Sequence, residues 1–146
     1  MTAWIQKAQR EGNAADAIIQ RQEEQAKKDY INGHKESLFN AIDQHDTEAF
    51  QTSMFALADA DRKDKEEQGK KSDPGYVNSL IVKQYKPLYI AAINDGDTEK
   101  AETIKDDLLG MPMTGVDART IISWQYEAEK QKVIDDARKI KNNKNR

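Results

Sequence analysis

The residues with the most chemical potential are few and sit close together. Asp95-Gly96-Asp97-Thr98-Glu99 places oxygen-bearing side chains at alternate positions, which is how a calcium-binding EF-hand loop opens. Such a loop needs glycine at its sixth position for a sharp turn and a bidentate glutamate at its twelfth. Here those positions hold Lys100 and Asp106, and the charged run from Asp59 fails in the same way. His34 and His45 lie eleven residues apart with no third ligand spaced to join them, so a metal site has too few donors. The acid pairs Glu23-Glu24, Asp106-Asp107 and Asp135-Asp136 could supply a general acid and base. Neighbouring residues on a helix point in different directions, however, and solvated faces explain these pairs better. No residue is assigned a catalytic, cofactor-binding or metal-binding role.

A second chemistry is electrostatic. Lys130 to Arg146 holds seven basic and two acidic residues, a local charge of +5 in a chain of net charge -3. Such a tail can touch phosphate, and weak nucleic-acid contact is one expectation. Its cations are spread around the helix with no aromatic residue among them for base stacking, and cations at a helix C-terminus also favour the helix dipole without any ligand. Trp4 and Trp124 read as core or interface anchors.

The elements that position these residues are helical. Ala, Gln, Glu, Lys and Arg abound, and alternating strand patterns are missing. The expected fold is all-α: helical hairpins with long flanking helices, bundle-like or extended, in a single domain over residues 1–146. Within it, residues 1–45 form N-terminal helices, a short one near Ala3–Arg10 and a long one capped by Asn13, with a stripe at Ile19, Gln22, Ala26, Tyr30, Gly33, Ser37 or Leu38, and Ala41. Residues 46–72 form a helix capped by Asp46, then a charged loop. Residues 73–110 form a second hairpin that starts at Asp73-Pro74, kinks at Pro87, turns at Asn94-Asp95-Gly96 and stops at Gly110. Residues 111–115 are a break. Residues 116–146 form a C-terminal helix with a basic tail, its stripe running through Ile122, Tyr126, Val133, Ala137 and Ile140.

The most specific feature is an internal repeat. A displacement of 51 residues superposes Ala41-Ile42-Asp43-Gln44-His45-Asp46-Thr47-Glu48 on Ala92-Ile93-Asn94-Asp95-Gly96-Asp97-Thr98-Glu99, with five of eight positions identical. Continuing to Leu57 over Leu108 keeps the apolar register, with Phe50 over Ala101 and Ser53 over Ile104. Each copy reads as an apolar helix end, a short turn, an aspartate cap and a returning amphipathic helix.

Composition limits what these hairpins can bury. Leu, Ile, Val and Phe make up 26 of 146 residues, charged residues 34%, and mean hydropathy is -0.94. Cysteine is absent, which excludes disulfides and thiolate chemistry. No apolar run reaches the roughly 18 residues of a membrane span. A chain so short of core should be extended or a partner in an assembly, and its least covered parts should be Ala14–Asn32 and Val116–Lys141.

The Ala41–Leu57 hairpin, the long charged helix before it and the Trp124-Gln125-Tyr126-Glu127 helix resemble hairpins of the internal core (DNA-ejection) proteins of short-tailed phages. That resemblance implies a non-enzymatic helical structural protein, in a virion interior or host cytoplasm, acting through a protein partner or self-association. The alternative is a small helical adaptor or inhibitor of a host protein.

Overall fold

The computed structural model describes residues 2–144, which form five helices and no strand: α1 (Thr2–Gln44), α2 (Thr47–Glu67), α3 (Tyr76–Asn94), α4 (Thr98–Gly110) and α5 (Ala118–Lys144). The all-α, bundle-like expectation holds.

The two helices expected before residue 45 are one. Asn13 lies inside α1 and caps nothing. Gly12 and Asn13 weaken a helix by roughly 1 kcal/mol or less each but do not stop it, and no proline intervenes. At 1.5 Å per residue α1 is about 64 Å long.

Both repeat copies fold into the same corner. The Asp46 amide donates to the Ala41 carbonyl over 2.9 Å, and the Asp97 amide to Ala92 over 2.9 Å. Asp46 Oδ1 accepts from the Ala49 amide at 3.1 Å, and Asp97 Oδ1 from Lys100 at 3.1 Å. Thr52 and Thr103 hydroxyls donate to the carbonyls of Glu48 and Glu99, each over 3.0 Å. The turn needs a left-handed residue, supplied by His45 (φ 57°) in one copy and Gly96 (φ 74°) in the other.

The Asp73-Pro74 start for α3 is displaced to Tyr76. The Asp73 carboxylate accepts from the Gly75 amide at 2.8 Å, and its carbonyl accepts from Tyr76 at 3.2 Å. Pro74 and Gly75 are thereby closed into a turn before the helix, where an Asp-Pro-Gly sequence is at home. Pro87 lies within an unbroken α3 on its exposed side, where water can reach the carbonyl it leaves without a donor.

Residues 111–115 do interrupt the helices, but they pack as a corner. Met111, Thr114 and Val116 are buried. The Thr114 hydroxyl accepts from the Val116 amide at 3.1 Å, and Asn78 Nδ2 donates to the Thr114 carbonyl over 2.9 Å. Asp117 then caps α5, which starts at Ala118, two residues beyond the expected Val116. Its Oδ1 takes the Thr120 amide and hydroxyl, each at 2.9 Å.

A single apolar cluster joins the hairpins. Leu38, Ile42, Phe50 and Leu57 come from the first, Ile81, Tyr89 and Leu108 from the second, and Ile121 and Trp124 from α5. Complete burial of each large side chain stabilises by about 2 kcal/mol. The α5 stripe read from the sequence stays exposed, and a second stripe packs. Ile121, Trp124 and Ala128 face the core, while Ile122, Tyr126, Val133 and Ile140 are between 57% and 70% exposed. By 100° per residue, that exposed stripe lies almost opposite the buried one.

Candidate functional site

Two features of the surface stand out. The first is a groove of 760 Å³ between the C-terminal half of α1, α3 and α4. Its apolar lining comes from Phe39, Leu88, Ile104 and the ring of Tyr85. Glu36, Asp43, Asp97, Glu99 and Asp107 also line it, with Lys100 the single cation.

The repeat geometry explains this charge. Asp97 is in the groove because it caps α4, and Glu99 because acids favour a helix N-terminus. Asp43 precedes the first turn. Tyr85 has its hydroxyl 3.0 Å from both the Phe39 carbonyl and Asp43 Oδ1, one hydrogen serving two acceptors. Burial first, and then the Asp43 charge, push its pKa well above the ordinary phenol range. The hydroxyl stays neutral and structural, a fastener between α1 and α3 across 42 residues of sequence.

A second fastener is His45. Its Nε2 lies 2.7 Å from Asp107 Oδ1, tying the first turn to α4, and its ring packs over Gly110, where an added Cβ would meet Nδ1 at 3.4 Å.

The other feature is a pair of projecting helix ends. Lys27 Nζ reaches Glu67 Oε2, at the end of α2, over 3.4 Å. All of α1 before that point therefore outruns α2, by about 37 Å, and residues 12–30 are exposed. α5 runs along α3 in the same direction, since Asn78 meets Thr114 while Tyr89 meets Trp124 and Gln125. Lys86 Nζ also holds Glu127 at 2.8 Å. α3 ends at Asn94, so α5 continues about 20 Å beyond it. Both underburied segments expected from the sequence are thus found, although Ile121, Trp124 and Ala128 anchor the first half of α5.

The candidate residues are dispersed. Asp95–Glu99 forms a turn and a helix start, with the Asp97 carboxylate engaged as a cap. His34 stacks edge-on against Tyr30 at 4.6 Å, while His45 turns to Asp107. Glu23, Glu24, Asp106 and Asp136 are exposed, and Asp135 accepts from Gln131. Among the described residues, no three His, Cys, Asp or Glu residues gather where a metal could sit. Trp124 is buried against Tyr89. The Trp4 side chain, Asn145 and Arg146 lie outside the described residues. Among those described, no helix is long and apolar enough to cross a membrane.

The groove itself was not foreseen. Asp43, Asp97 and Asp107 are far apart in sequence, and only the stacking of the two hairpins collects them. The repeat gave the one available signal, since it predicts two acid-rich corners in one small bundle.

No family model, no curated protein and no solved structure matches the chain.

Proposed function

We propose that this is a non-enzymatic helical assembly protein that works by joining its projecting helix ends to other chains, and that it serves as an internal, DNA-ejection type component of a phage virion. One observation carries the assembly half. Two helix ends, about 37 Å and 20 Å long, stand clear of the core with Ile18, Ile19, Val133 and Ile140 exposed on them. Helices draw most of their stability from packing an apolar face, and short isolated ones are marginal in water. Apolar stripes on a free helix are interaction surfaces by the same physics that makes them core elsewhere. The phage half is supported by the resemblance of the Ala41–Leu57 hairpin and the Trp124–Glu127 helix to core-protein hairpins.

Sedimentation velocity over a hundredfold concentration range tests the assembly half. Growth of species larger than 16.6 kDa is expected; a compact monomer at every concentration would overturn it. For the phage half, a coding sequence among virion genes is the expected finding, and one embedded in a cellular operon would refute it.

A further inference from the structure

The groove and the α5 end are complementary in both of their chemistries. The groove is lined by apolar side chains and by carboxylates, and no cation of the described residues forms an ion pair with Glu36, Asp43 or Glu99. The projecting part of α5 has an apolar stripe, Val133, Ala137 and Ile140, on a strongly basic segment. Lys130, three residues before Val133, and Lys141, four after Ala137, border that face on one side, and Glu129 and Asp136 border it on the other; residues 130–141 as a whole hold five cations and two carboxylates. An amphipathic helix of net positive charge fits a groove lined by apolar side chains and carboxylates.

A chain cannot fill its own groove. On α3, Lys86 and Tyr89 face α5, while Gln84 and Leu88 line the groove on the opposite side of the helix. α5 is one unbroken helix packed on the face of α3 turned away from the groove. The segment must enter the groove of another copy.

We propose that the basic end of α5 from one copy docks in the acidic groove between α1, α3 and α4 of the next. This rests on the assembly reading above and gives it a geometry. Donor and acceptor are different surfaces, so the contact is heterologous and propagates head to tail, as an open filament or a closed ring. Electrostatic complementarity of this kind steers encounter and fixes register, and it weakens with salt.

The test is a charge exchange in the full chain. Glu36→Lys with Glu99→Lys reverses the groove without touching the Asp97 cap, the Tyr85–Asp43 contact or the His45–Asp107 pair. Lys130→Glu with Lys141→Glu reverses the tail. All four side chains are exposed, and circular dichroism checks that each variant remains helical. If the reversed groove misfolds, Glu36→Gln with Glu99→Gln takes its place, read as loss of association alone. In sedimentation, each reversed variant should self-associate at least tenfold more weakly than wild type, and a mixture of the two should recover association. Wild-type assembly that is unchanged in both variants would overturn the groove-and-tail contact and leave the assembly reading standing. A monomeric wild type would overturn both.

Discussion

Position 45 and position 96 solve one problem with different residues. Both stand just before an aspartate cap in the left-handed region, which costs glycine little and costs a side chain with a Cβ about 1 kcal/mol or more. His45 accepts that strain and returns a 2.7 Å hydrogen bond with Asp107, a contact its glycine counterpart cannot make. Glycine is indispensable elsewhere. Gly115 has φ 77°, and a Cβ there would collide with Asn78, whose amide holds the Thr114 carbonyl. Gly115→Ala should destabilise by about 2 kcal/mol or more in urea unfolding. Gly33 is the opposite case. Nothing lies within 4 Å of an added Cβ, so it permits no close helix approach. Gly33→Ala should stabilise by about 1 kcal/mol in the same assay. Asp117 carries a pH dependence. The hydrogen bond from the Thr120 amide, and then that from its hydroxyl, hold its carboxyl below the ordinary 3.8. A depressed pKa means that the cap's contribution is complete above about pH 4 and is lost as pH falls through the lower, folded value. Asp117→Asn keeps a good cap without the charge, so unfolding of that variant should lose this part of the acid dependence.

The helical hairpin is the element that the chain uses twice, and its caps allow a controlled comparison. Asp46→Ala and Asp97→Ala each remove one carboxylate that accepts a single amide at 3.1 Å. Each should cost about 1 kcal/mol, and the two losses should agree within the error of chemical denaturation. A much larger loss at one site would mean that the copies are not equivalent units. The pairing of unequal residues across the repeat, Phe50 with Ala101 and Ser53 with Ile104, is resolved by packing, since all four are buried. The Asp46 and Asp97 caps, the turns before them and the Phe50, Met54 and Leu57 face were legible because they depend on neighbours within a few residues. The facing of α5 was not. Its sequence carries two apolar stripes of similar strength, Ile121-Trp124-Ala128 and Ile122-Tyr126-Val133, and periodicity alone does not say which one the core takes. What decides is the corner at residues 111–117, where Thr114 and Asn78 fix the angle at which α5 meets α3. The groove was illegible for the same reason, as it exists only once the hairpins are stacked.

At the scale of the whole molecule, a thin core has been concentrated rather than stretched. The large apolar residues of both hairpins meet in one cluster that α5 closes, and the helix ends outside it are left without cover. Local stability should follow that division, because amides open with a free energy set by the packing around them. In native-state hydrogen exchange, amides of Leu38–Ile42 and Ile81–Tyr89 should exchange only by global unfolding. Those of residues 12–26 should exchange orders of magnitude faster in dilute solution, since their helix has no face against the bundle. The decisive part is concentration. If these ends are assembly surfaces, protection over residues 12–26 and 130–142 should rise as the protein is concentrated, while the core amides remain unchanged. Protection of the helix ends that is already complete at the lowest concentration would mean that the isolated helices are stable alone, and the physical argument for a partner along them would fail.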